Sequence, residues 1–275
     1  MRLIGCGDSW CWASELVDPI EEPVPIMNYP NGGFERHDKP VNTAYRLKHR
    51  YLNIFADKIG ATEIIDLSRP SRSNDAIIRV LVEWLTNEGY TSGRDTSDLF
   101  ITIGWTSPER REFYYKEKWG VDNWLEFGPW SMGQKHRDPD IDKFMRLYFD
   151  NFWNEGEFLH RWILQIWQTE MMLKKYNIKY VMHQAFYHDH TKMIEQWNDV
   201  EYKKKFTVIT QADKTLWESI DPIKFMHKND PEIGTMHNYI LSKDKDVFIV
   251  YHPNEKGHAF WADYMYEYCV KNNLV

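Results

Sequence analysis

Two kinds of hydrophobic pattern alternate along this chain. Short, almost solid apolar runs stand at residues 2–6 (RLIGC), 62–68 (TEIIDLS), 98–105 (DLFITIGW), 179–186 (KYVMHQAF) and 246–252 (DVFIVYH). Runs of this length, rich in Ile, Val, Leu and Phe, predict strands buried on both faces, as in a parallel sheet. Between them lie segments of helical period. Residues 42–61 place Leu47, Tyr51, Ile54 and Phe55 on one stripe with Gly60 as a stop. Residues 73–89 offer Ser73 or Asn74 as a cap, Asp75 in the first turn and Gly89 at the end. Residues 141–176 read as helix in two pieces broken near Gly156, and 255–272 as a closing helix. Residues 18–41 and 106–140 read as irregular, and 187–245 yield no clear element. Strands alternating with helices predict an α/β fold with a mostly parallel, five-stranded sheet covered on both faces.

Such sheets bind ligands beyond the carboxyl ends of their strands. Polar clusters follow the predicted strands there: Gly7-Asp8-Ser9, residues 68–75, residues 104–107, and His252-Pro253-Asn254. This coincidence is the main physical argument for a site. A serine between a strand and a helix suits two roles. It can cap the helix, or it can be a nucleophile beside N–H groups that stabilise developing negative charge.

Composition narrows the classes. A net charge of −7 argues against nucleic-acid binding. The chain has 43% hydrophobic and 27% charged residues, ordinary for a globular domain. Three cysteines, Cys6, Cys11 and Cys269, give neither a disulfide framework nor a CxxC metal signature, and a reduced intracellular setting is the simplest expectation. No signal peptide and no run of ~20 apolar residues is visible, so no membrane is expected. Aromatics make up 16%; they fill core or line a groove for flat ligands such as sugars.

GDSW at 7–10, SRPSRSNDAIIR at 68–79, IGWTSPERREF at 103–113 and HPNEKGHAFWADYM at 252–265 together resemble the sequence blocks of the SGNH (GDSL-type) hydrolases. Order and spacing fit from end to end, and the combination resembles most closely the SGNH-like proteins of tailed phages, marine ones included. The resemblance implies a single domain over 1–275 with a three-layer, flavodoxin-like α/β/α sandwich and a Trp-rich insertion at about 106–140. It implies a serine esterase with Ser9 as nucleophile and His252 as general base. Oxyanion donors would be the backbone N–H groups of Ser9 and Ser71 and the side chain of Thr106, with Ser107 as a substitute.

Three supports depart from the family's pattern. Ser71 stands where a Gly is usual, Thr106 where an Asn is usual, and Ile249 where the orienting Asp is usual, three residues before the histidine. Asp246 is the nearest substitute acid in sequence, six residues from His252, although a backbone carbonyl or an acid from elsewhere would also serve. Around this centre Asp8, Asn74, Trp105, Ser107, Arg110 and His188 are expected substrate contacts. Asp8 and His258 also have a purely structural reading, through hydrogen bonds to backbone. Arg110, Arg111 and Glu112 read equally as a solvated turn. His183, His188 and His190 lie in one stretch without a metal-ligand spacing, so no metal and no cofactor is expected. The expected partner is a small-molecule or glycan ester, such as an O-acetylated sugar, in a cytoplasmic or virion-associated setting. The alternative is a degenerate SGNH-fold protein that binds glycan or serves as a phage structural part.

Overall fold

A computed structural model describes residues 1–21, 39–114, 124–128, 139–152, 154–185, 210–230, 233–249 and 251–275. The chain enters at once into β1 (Arg2–Cys6), turns through a single helical turn, α1 (Ser9–Trp12), and later forms α2 (Pro40–His49) and α3 (Tyr51–Lys58). Then come β2 (Glu63–Asp66), α4 (Asn74–Asn87), β3 (Leu99–Trp105) and a hairpin of β4 (Arg111–Tyr114) and β5 (Trp124–Phe127). Next are α5 (Pro139–Asn151), α6 (Glu155–Lys175), β6 (Lys179–Gln184), α7 (Gln211–Ser219), α8 (Met236–Lys243) and α9 (Glu255–Lys271). The main sheet has the order β2-β1-β3-β6, and each of its pairings is parallel.

Period-2 alternation along the strands assigns each face its helices. Ile4, Ile101, Ile103, Tyr180 and Met182 point to one side, where Ile77, Leu81 and Leu85 of α4 and Leu159, Trp162 and Ile166 of α6 cover them. Leu3, Phe100 and Val181 point to the other. There Tyr51, Leu52 and Phe55 of α3 meet Trp261, Ala262 and Met265 of α9. The molecule is therefore an α/β protein with helices on both faces of a parallel sheet. Chain order reverses about β1, since β2 lies on one side of it and β3 on the other. The carboxyl ends of β1 and β3 thus flank the crevice where such folds bind ligands.

Among the described residues the sheet has four strands rather than the expected five. Residues 246–249, 251 and 252 form no sheet strand; they are turn and bend around one isolated antiparallel bridge between Phe248 and Pro253. Their apolar character is spent on packing: Val247 is buried and Phe248 packs against the cluster of α1, α3 and α9. The outer edge of β6 is already taken. Met182 N–H donates to Lys224 O at 2.7 Å, and Met226 N–H donates to Met182 O at 2.8 Å.

The helix expected over 42–61 is two helices, because Arg50 adopts an extended ψ of 149°. Its guanidinium reaches Asp66 at the end of β2. The break near Gly156 is a capped start, with Asn154 Oδ1 accepting from the Gly156 and Glu157 N–H groups. Part of the stretch read as irregular is the β4–β5 hairpin. Arg111 and Glu112, there taken as a solvated turn, fasten it: Glu112 receives both Nε and Nη2 of Arg79 at 2.9 Å, and Arg111 reaches Glu157 at 2.6 Å. Cys6, Cys11 and Cys269 are buried and free. Among the described residues no helix is long and apolar enough to cross a membrane.

Candidate active site

The loop after β1 is held by Asp8. Its Oδ1 accepts the Trp10 N–H at 2.9 Å, capping the single turn of α1, and its Oδ2 accepts the Thr106 hydroxyl at 2.5 Å. Arg110 Nη1 lies 3.2 Å from the same oxygen and makes a buried ion pair. The α1 turn ends at once, because Ala13 is left-handed (φ 66°) and its N–H donates back to Ser9 O. Gly7 and Gly104 let the two strand ends close over Cys11: a Cβ on either glycine would lie 2.2 Å from its Sγ. Burial and the charge of Asp8 push the Cys11 thiol well above the usual range, so it stays protonated beside Ser9.

Ser9 Oγ meets His252 Nε2 at 2.9 Å, across 243 residues of sequence. His252 belongs to the turn before α9, and Trp10 packs on its ring, with centroids 5.8 Å apart. The other ring nitrogen, Nδ1, lies 3.1 Å from Oε1 of Glu15. Glu15 is fully buried and is a non-glycine residue at φ 68°. Its second oxygen, Oε2, accepts the backbone N–H groups of Tyr251 at 3.1 Å and His252 at 3.4 Å. The contact is a close approach of ring nitrogen and carboxylate oxygen rather than an aligned hydrogen bond.

Asp246 is not on His252. It is exposed, and its N–H donates to Asp244. The position beside Nδ1 is filled by Glu15. The sequence leaves room for an acid from elsewhere but does not single out Glu15, which lies 237 residues from the histidine. The available signal was an acid inside an otherwise apolar run, WCWASELV, where burial demands a partner.

Ser71 sits at φ 66°, the left-handed region that a glycine reaches without strain. Among the described residues neither the Ser71 nor the Ser9 N–H is engaged in a hydrogen bond. Thr106 is placed otherwise than expected. Its only hydroxyl hydrogen goes to Asp8, so it has none left for an oxyanion. The Ser107 hydroxyl is buried and has no partner among the described residues. Asn74 is likewise committed: its Nδ2 donates to Thr106 O at 3.1 Å and its Oδ1 accepts the Thr106 N–H at 2.9 Å. It ties the loop after β3 to the start of α4 rather than facing a ligand. Trp105 is fully buried in the core between the sheet and α6. Arg110 is nearly buried beside Asp8. His188 lies outside the described residues. His258, one turn into α9, is fully buried, and burial lowers its pKa to about 3. No group of three or more His, Cys, Asp or Glu able to hold a metal ion is found among the described residues.

In chemical terms, a hydroxyl faces a ring nitrogen whose opposite nitrogen faces a carboxylate, and two backbone N–H groups stand on neighbouring loops. Comparison with known proteins adds little beyond this geometry. A family model described as a family of unknown function (DUF6071) matches residues 33–274. No curated protein matches the chain. Among solved structures the chain is similar to the psychrotrophic esterase EstA from Pseudoalteromonas sp., crystallised inhibited by monoethylphosphonate. The identity is 11% and the TM-score 0.41, over 98% of this chain and 97% of that one.

Proposed function

The chain belongs to the family of unknown function DUF6071, and we propose that it is a serine hydrolase of the SGNH type that cleaves esters. Affiliation with the SGNH proteins of tailed phages is part of this reading. The observation that carries it is the 2.9 Å contact between Ser9 Oγ and His252 Nε2, which lies within the range required of a nucleophile and its base.

Ser9 Oγ attacks the ester carbonyl carbon while its proton passes to His252 Nε2. The carbonyl oxygen becomes negative and accepts from the N–H groups of Ser9 and Ser71, with the Ser107 hydroxyl as the side-chain donor in place of Thr106. Collapse breaks the bond to the alcohol, which leaves with the proton from His252. Water, deprotonated by the same nitrogen, then releases the acid and restores Ser9. The substrate class we favour is an O-acetyl group on a carbohydrate. A glycan-binding protein without catalysis is the second reading, favoured by the loss of Thr106 as a donor.

Fluorophosphonate labelling read by intact mass separates the two. One adduct on the wild type, absent from Ser9→Ala and His252→Ala, is expected. No adduct under conditions that label a control esterase would sink the hydrolase reading in favour of glycan binding.

A further inference from the structure

Resting on that reading, we infer that Glu15 is the positioning residue for His252, so that the acid comes from the segment carrying the nucleophile rather than from the segment carrying the base. Three independent features of Glu15 converge. It is a fully buried carboxylate. It is a long side chain held in the left-handed backbone region, where strain persists only if the surroundings enforce it. Its two oxygens divide their work, Oε1 on Nδ1 of the histidine ring and Oε2 on the N–H groups of Tyr251 and His252. One side chain thus fixes both the ring and the backbone that carries it.

The chemistry follows from the two nitrogens. A carboxylate beside Nδ1 requires the proton there, which leaves Nε2 with its lone pair toward the Ser9 hydroxyl. When Nε2 takes the serine's proton, the ring becomes a cation next to a buried anion and is stabilised by it. His258, which interacts with His252, is kept neutral by burial above about pH 3 and brings no competing charge; His237 lies across the Trp10 ring. The position three residues before the histidine, Ile249, cannot supply an acid and uses its N–H to bond His252 O at 2.9 Å. The 3.1 Å approach, off line in the free protein, is of the kind that tightens when substrate binds.

Glu15→Gln is the test, because it conserves shape while removing charge. Its amide oxygen can still accept from the Tyr251 and His252 N–H groups, and its NH2 then faces Nδ1. The ring is forced to carry its proton on Nε2, where it cannot receive one from Ser9. The expected result is a correctly folded variant whose fluorophosphonate labelling rate falls by about 10²–10⁴-fold. Its residual pH profile has the acid limb moved to lower pH, because the imidazolium has lost its anion. Glu15→Asp keeps the charge and should recover part of the rate with the wild-type profile. A Gln variant that labels at the wild-type rate with an unshifted profile overturns the assignment.

Nitrogen-15 NMR of the histidines gives a readout that does not depend on turnover. The His252 ring should be the Nδ1–H tautomer in the wild type and switch in the Gln variant. If the wild type takes no label, the hydrolase reading fails, yet the tautomer switch still supports Glu15 as the positioning group, and an unchanged ring overturns it. If the Gln variant does not fold, the wild type decides alone. An Nδ1 proton moved far downfield at low pH supports the pair, and its absence overturns it.

Discussion

At the scale of single residues, the site is a matter of which hydrogens are already spent. Thr106 and Ser107 are adjacent hydroxyls, and sequence cannot tell them apart. The structure can, because Asp8 takes the hydrogen of one and leaves that of the other. Ser71 raises a similar question. Its side chain adds nothing that the proposed role needs, and its φ of 66° is one that a glycine adopts freely. Ser71→Gly should therefore keep the labelling rate within a few-fold. It should leave stability unchanged or raise it by about 0.5–1 kcal/mol, since relief of left-handed strain outweighs the looser unfolded chain. Urea denaturation and labelling kinetics check both. A 100-fold slower reaction would mean that the hydroxyl, not the N–H, is used. The meeting of Ser9 with His252 was legible in the sequence, because each ends or follows an apolar run and chain order carries that information. Glu15 was not, since what makes it a neighbour of His252 is the left-handed turn after α1, and no local pattern announces that turn.

At the scale of elements, the apolar runs reported burial faithfully and pairing less so. Four of them form the sheet. The fifth, 246–252, is apolar because Val247 and Phe248 pack inward, while the sheet edge it would need is closed by Lys224–Met226. Periodicity sees the first fact and is blind to the second. The long stripe of 42–61 hid its break for the same reason: Arg50 bends the chain toward Asp66, a partner on another element. The Asn74 amide ties the β3 loop directly to the start of α4. Thr106 O has a second donor in Gln184 Nε2 at 3.1 Å, but the Thr106 N–H has Asn74 as its acceptor. Asn74→Ala should thus orphan a buried N–H and cost about 1–3 kcal/mol. Thermal melts check this, and a loss well below about 1 kcal/mol would refute the assignment of the cost to that N–H.

At the scale of the whole molecule, two buried histidines behind the site set the response to acid. His183 and His258 are fully buried, and burial lowers each to about 3. In the unfolded chain a histidine titrates near 6.5, so between about pH 6.5 and 3 the unfolded state binds protons that the folded state refuses. Stability is complete above about pH 6.5 and declines as pH falls, by up to about 1.4 kcal/mol per pH unit for each histidine. Urea midpoints should drop from pH 7 to pH 5. They should drop less in His183→Leu and His258→Leu; identical slopes in all three proteins would contradict this.

The distance in sequence between Ser9 and His252 has a consequence for how the protein comes into being. The serine opens α1, just after β1, and the histidine lies in the turn before α9, 243 residues on. Local helices and neighbouring strand pairs form at small entropic cost, whereas this contact closes the longest loop in the site. A chain in which α9 has not docked therefore displays Ser9 without His252 beside it. On the proposed mechanism the serine would become reactive only once α9 has docked against α3 and brought His252 to it, so that labelling of Ser9 would report the docked fold.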